Sequence, residues 1–446
     1  MVGFSPIGEA VASPTPRRSA RILAFASLLL LFLYSGYCLQ ALPVVAPSLL
    51  KDWGIPARTL AVPLALISIG TSLGAVLGGV LGDLKGRKLP IIGLMIVQGI
   101  AMGLSAFASD PLGLYVLMFA VGLALGGYYP SGMALITELA PVPRRGLMIS
   151  LAVLFAPLGL GACSLIASQI LPLYGWSSVF LVGGLVAIPV TLFLAFLVPE
   201  SPKYLARFPA REVARQRIVA RLGLEEQDEP APPIAAPAQS GLSAIPALLA
   251  ENAGATLALW LLFFTVYVLG SVILGWIPVI LSSVGFDLAF ASQSLFYWTL
   301  GSMIGTPLAG WLIGRIGVYN SAASFAFGAV LAIALLTFVP LDPARGRLIA
   351  TLLPLGGFSI AGVITCLYTL AAEFYPTALR ATGIGTADAM GRVGGVLGAL
   401  AGVYVFDLAG AFGFFATILT LTVLTLILIL LLRRSGNVAA VEARGG

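Results

Sequence analysis

Apolar residues run in blocks of twenty or more along almost the whole of this 446-residue chain, broken by short polar turns. A helix needs about 20 apolar residues to cross a bilayer. The blocks predict spans at 22–50, 59–82, 90–109, 112–137, 147–171 and 177–198, then at 254–281, 288–313, 318–340, 348–371, 381–406 and 409–432. The first block is too long for a cleaved signal peptide and carries no clear cleavage site. The expectation is an all-α membrane protein with twelve transmembrane helices in two six-helix bundles, 22–198 and 246–432. Tails occupy 1–21 and 433–446, and the one long hydrophilic segment, 199–245, joins the bundles.

The cations follow the same map. Of the 24 Lys and Arg residues, Lys51, Arg58, Arg345 and Arg347 fall on one side of the predicted spans and Arg392 lies within one. The other 19 occupy the two tails and the turns after even-numbered spans. Basic loops resist translocation, so both termini are expected in the cytoplasm and the chain in a bacterial-type inner membrane. Within 199–245, Arg207, Arg211, Arg215 and Arg221 alternate with Leu205, Val213, Ile218 and Val219, as in a basic amphipathic helix on anionic lipid. Residues 225–240 are acidic and rich in Pro and Ala, hence a flexible linker.

Composition narrows the class. The chain is 59% hydrophobic and 9% charged, whereas soluble domains carry about 25% charged residues. The +6 net charge needs no nucleic acid to account for it. Histidine is absent, which removes the commonest metal ligand and the commonest neutral-pH proton carrier. Cys38, Cys163 and Cys366 lie in apolar runs without CxxC spacing and read as buried packing thiols. With no His, metal cluster or nucleophile–base set, neither an enzyme nor a cofactor is expected.

Two motifs occur twice. Gly79-Val80-Leu81-Gly82-Asp83-Leu84-Lys85-Gly86-Arg87-Lys88 is a basic turn between two spans, and Gly310-Trp311-Leu312-Ile313-Gly314-Arg315-Ile316-Gly317 is its worn copy. Glu138 and Glu373 each begin a Glu-x2-Pro-x3-Arg turn, ending on Arg145 and Arg380. The copies stand 231 residues (79 to 310) and 235 residues (138 to 373) apart. A doubled bundle of this kind is a transporter plan with substrate held between halves near mid-membrane.

On these residues the chain resembles the major facilitator superfamily over nearly its whole length. The turn at 79–90 is similar to that family's signature loop, including Asp83, Gly86, Arg87 and Lys88. Pro199-Glu200-Ser201-Pro202-Lys203-Tyr204-Leu205 resembles the end of the sixth helix in sugar porters and in organic-ion and aromatic-acid symporters. Ala46-Pro47-Ser48-Leu49, Trp53-Gly54, Trp176 with Phe180 and Gly183-Gly184, Trp276-Ile277-Pro278, Arg380-Ala381-Thr382-Gly383 and Gly391-Arg392-Val393-Gly394 are most similar to the aromatic-acid:proton symporter branch. That branch carries Asp-Gly-x-Asp in the first helix, where this chain has Ser35-Gly36-Tyr37-Cys38, and an Arg in the fourth, where it has Met118. The proton-coupling carboxylate that the resemblance implies is therefore missing.

Asp388 and Arg392 are the ionisable residues inside a span. At i and i+4 they share a helix face. Intramembrane charges cost several kcal/mol on most scales and usually face a polar cavity and pair. One reading has Arg392 binding an anionic substrate through its planar fork, with Asp388 as resting partner or proton site; the other is a structural ion pair. Pocket candidates by depth are Tyr37, Gln40, Tyr128, Tyr129, Tyr267, Tyr297 and Tyr368. Gating candidates are Asp83, Gly86, Arg87 and Lys88, with Glu138 and Arg145, and Glu373 and Arg380, as a symmetric cytoplasmic charge network. The glycine-rich run at 391–402 suits close helix packing and is no phosphate loop.

These features point to a monomeric secondary transporter moving a small organic solute, an aromatic or other carboxylate, by alternating access, driven by a solute or a proton gradient. Its rivals are a proton-driven exporter of amphipathic compounds and a membrane sensor built on a transporter scaffold.

Overall fold

A computed structural model describes residues 18–141, 145–222, 245–375 and 379–445. The flexible linker expected at 225–240 and most of the N-terminal tail lie outside the described residues. The first half comprises α1 (Arg18–Trp53), α2 (Ala61–Lys85), α3 (Lys88–Ser105), α4 (Pro111–Leu139), α5 (Arg145–Tyr174) and α6 (Ser177–Leu197). After it come the single turn α7 (Pro202–Leu205) and α8 (Glu212–Leu222). The second half comprises α9 (Ile245–Ser283), α10 (Leu288–Ile316), α11 (Val318–Phe338), α12 (Gly346–Phe374) and α13 (Arg380–Gly445).

Helix is the only local structure that satisfies each backbone group within its own segment in lipid. Ten of the described helices are long and apolar enough to cross a membrane. The last of these breaks at Gly410, whose φ of 63° folds α13 into two arms. The 29-residue α10 is equally long but carries a row of buried hydroxyl residues, Ser292, Ser294 and Thr299. Counting both arms and α10 gives the twelve segments read from the sequence. The backbone remains helical into the C-terminal tail, to Gly445.

Equivalent helix pairs pack alike in the two halves. A Cβ on Gly36 of α1 would lie 1.9 Å from the Ala156 carbonyl oxygen of α5, and one on Gly394 of α13 would lie 2.4 Å from that of Phe264 in α9. Gly74 of α2 against Leu123 of α4 (2.1 Å) is matched by Gly301 of α10 against Pro354 of α12 (1.8 Å). Small residues let backbones touch where the bilayer supplies no hydrophobic drive between helices.

The halves meet at the end away from the basic turns. There the Gln293 amide of α10 lies 3.5 Å from Ser168 Oγ of α5. Phe296 packs over Gly161, and Leu64 over Gly275. One apolar core runs across both halves and contains Leu60, Leu64, Ile273, Trp276, Ala399 and Val403. A separate core, with Leu259, Phe263, Phe325 and Cys366, fills the other end of the second half. The molecule is thus sealed across its halves at one end.

The basic amphipathic helix expected after α6 is α8, which packs back on α1. Its first turn is closed by an Arg215–Glu212 ion pair at 2.7 Å.

Candidate functional site

The first arm of α13 holds the two intramembrane charges. Arg392 Nε donates to Asp388 Oδ2 at 2.9 Å. The other carboxylate oxygen, Oδ1, accepts the Tyr267 hydroxyl of α9 and the Tyr368 hydroxyl of α12, each at 2.5 Å. The two phenol oxygens stand 2.7 Å apart. Each phenol has a single hydrogen, so with both aimed at Oδ1 that short distance is a contact. Phe263 meets the Tyr368 ring edge-on at 5.1 Å. Three helices therefore converge on one carboxylate, and that carboxylate holds the guanidinium by Nε alone. The terminal amino groups of Arg392 make no hydrogen bond among the described residues.

The direction these charges face follows from helix geometry. Ala399 and Val403 lie seven and eleven residues beyond Arg392, on the same side of a 3.6-residue helix, and Asp388 lies four before it. Ala399 and Val403 are buried, at 2% and 1%, in the core that spans both halves. The charges occupy that inward face about two turns nearer the basic end, with side chains 35% (Arg392) and 21% (Asp388) exposed. Arg392 is neither packed away nor on the opposite, outward side of α13.

The other predicted pocket residues are distributed differently. Tyr37 is 5% exposed and donates to the Val179 carbonyl at 2.8 Å, tying α1 to α6. Tyr128, at 0%, shares a hydrogen bond with Ser35 at 3.0 Å. Gln40 is buried with its Nε2 unpartnered. Tyr37 and Tyr128 are thus bonded inside the first half, away from the Arg392 cluster. Tyr129 is half-buried with its ring edge on Phe32, and Tyr297 donates to Gln293 Oε1 at 3.3 Å, beside the seam between the halves. Of the nine predicted pocket residues, Arg392, Asp388, Tyr267 and Tyr368 form one cluster.

At the basic turn, Glu200 is the organiser, a role that the sequence did not single out. Its Oε1 accepts the backbone N–H of Arg87 (2.8 Å), of Lys88 (3.2 Å) and of Ser201 (2.8 Å). A carboxylate here caps the open N-terminus of α3 and complements its dipole. Gly86 has φ 91°, and a Cβ on it would lie 2.5 Å from Glu200 Oε2, so glycine is needed twice over. Glu138 and Arg145 form no direct ion pair among the described residues. Glu138 instead accepts the hydroxyl of Ser201, which also caps α7 and so sits against α4 first, and Arg145 Nε is buried without a partner. Arg87 lies within electrostatic reach of Glu138. The side chains of Asp83 and Arg380 lie outside the described residues, so that half of the expected charge network does too; Glu373 is exposed near Tyr319. At the worn copy, Arg315 stacks on Trp311 at 5.1 Å.

A family model described as Major Facilitator Superfamily matches residues 23–399. The chain belongs to this superfamily. It is a multi-pass membrane transporter and not an enzyme. A gallate transporter of Pseudomonas putida is 29% identical over 93% of this chain and 92% of that one. The 4-hydroxybenzoate transporter PcaK of Pseudomonas aeruginosa is 30% identical over the same shares, 93% and 92%. A solved bacterial homologue of the lysosomal transporter Spinster, in an inward-facing and occupied conformation, superposes with a TM-score of 0.72 at 15% identity, covering 94% of this chain and 98% of that one. The superfamily resemblance read from the turn motifs is thereby confirmed.

Proposed function

We propose that this transporter carries small aromatic carboxylates by secondary active transport, with Arg392 as the anchor for the carboxylate. One observation carries the reading. Asp388 holds the guanidinium by Nε and leaves its terminal fork unoccupied on the inward face of α13. A guanidinium fork fits a carboxylate bidentately. Tyr267, Tyr368 and Phe263 supply aromatic surface beside it. The names of the gallate and 4-hydroxybenzoate relatives support the same substrate class.

When a substrate carboxylate takes the fork, two anions share one guanidinium in a low-dielectric site. Asp388 is the proton site of this reading, with Tyr267 and Tyr368 keeping its side chain in place, a role that fits the loss of first-helix carboxylates at Ser35 and Cys38. The basic turns support an orientation with the sealed end outward and both termini in the cytoplasm, in a bacterial inner membrane.

Purified protein in proteoliposomes provides the test. Saturable 4-hydroxybenzoate uptake that rises with an inward proton gradient is expected. Binding without flux would support the sensor instead, and flux that ignores the proton gradient would remove Asp388 as a proton site.

A further inference from the structure

A second feature lies at the basic end of the first half. The starts of α1 and α3 and the ends of α6 and α8 enclose a cavity of about 130 Å³. Lys88 of α3 and Arg221 of α8 both line it, and Phe196, Ile218 and Leu222 supply hydrocarbon around them. Neither cation forms an ion pair among the described residues. Glu200, the acid near Lys88, aims Oε1 at backbone N–H groups. Two positive side chains in one small apolar-walled cavity repel each other until an anion lies between them.

α3 and α6 continue outward from this cavity, enclosing an apolar groove of about 450 Å³. Gly99 and Gly103 of α3 and Gly184 of α6 keep its floor low, while Ile188 and Leu192 stand at its side. Along α6, Leu192 lies one turn from Phe196; along α3, Met95 lies two turns from Lys88. Cavity and groove are therefore consecutive on one membrane-facing surface, a cationic notch followed by an oily channel.

We infer that α3, α6 and α8 form a binding site for one anionic phospholipid, its phosphate between Lys88 and Arg221 and an acyl chain in the α3–α6 groove. A free phosphate would use the notch alone and leave the groove without a role. The lipid would hold the end of α8, the helix from which the chain passes on toward the second half, against the first half.

Lipid retention on the detergent-purified full chain, read by native mass spectrometry, tests this. Phosphatidylglycerol is offered against phosphatidylcholine, with and without millimolar inorganic phosphate. Preferential retention of phosphatidylglycerol is expected, unaffected by inorganic phosphate. Arg221→Glu should lower that retention roughly fivefold or more, since each surface cation contributes about 1 kcal/mol toward an anionic lipid. Arg221→Lys should keep most of it, and Ile188→Trp, which fills the groove, should lower it while leaving both cations in place. Arg221 is exposed, so melting in phosphatidylcholine should not change in Arg221→Glu. Equal retention of the two lipids, unchanged retention in Arg221→Glu, or full competition by inorganic phosphate would each overturn the lipid site.

Discussion

The two halves share a helix plan and differ in what they do with polar groups. The first half keeps its interior neutral: Tyr37, Tyr128 and Ser35 are buried and bonded within it. At its basic turn Glu200 caps α3 and Glu138 takes Ser201. The second half reverses this. Its turn copy has only Arg315 stacked on Trp311, and its interior carries the part-exposed Asp388–Arg392 pair with two tyrosines. On the proposed reading, one half latches and the other recognises. Packing dictated by small residues is common to both, so the division of labour arises from a handful of side chains.

The largest expected effect breaks the recognising half. Arg392→Gln leaves Asp388 as an anion facing only tyrosine hydroxyls. Loss of one partner of a hydrogen-bonded charge pair costs roughly 2–5 kcal/mol, so aromatic-acid uptake should fall at least about thirtyfold. The double variant Asp388→Asn with Arg392→Gln should recover thermal stability and not uptake. Recovery of uptake as well would make the pair structural.

Next comes the latch. Glu200→Ala removes the acceptor of the Arg87 and Lys88 amides and uncaps α3. A loss of about 2–3 kcal/mol is expected from charged hydrogen bonds together with the cap, read as a lower melting temperature. The equivalent change at the second half's turn, Arg315→Ala, should cost less than about 1 kcal/mol, since an exposed cation over a ring contributes little.

A smaller effect is expected at Tyr368→Phe. It removes one of two hydroxyls on Oδ1 and leaves the other. A bond to a charged group is worth about 1.5–3 kcal/mol, and the low end applies to a half-exposed ring, so transport affinity should shift about tenfold. The smallest change is expected inside the first half. Gln98 is fully buried near Cys38 and Tyr128, without a geometry that makes a hydrogen bond. Gln98→Met should be neutral or slightly stabilising, within about 1 kcal/mol, with uptake unchanged. A loss of uptake there would return recognition to the first half.

The spans, the duplication and the Asp388–Arg392 pair were legible in the sequence because each is local: a run of apolar residues, a repeated turn, an i, i+4 spacing. What a span's depth does not encode is which way a side chain faces. Tyr128 and Tyr368 looked alike in their apolar runs; tertiary packing put one inside its own bundle and the other beside Asp388. Long-range capping was equally hidden. Glu200 acts on an amide 113 positions away, and nothing in the spacing of Pro199-Glu200-Ser201-Pro202 names Arg87 as its target. At Glu138 the partner is likewise remote, the Ser201 hydroxyl of that distant loop.

The central claim is that an open guanidinium fork selects for a carboxylate. Calorimetric binding of 4-hydroxybenzoate against its neutral isostere 4-hydroxybenzamide, on purified protein and on Arg392→Gln, tests it most directly. The account predicts that the acid binds at least about tenfold more tightly to the unaltered protein, as a charged hydrogen-bonded pair should provide, and that the variant loses the difference. Equal binding of acid and amide, or a preference that persists in Arg392→Gln, would contradict it.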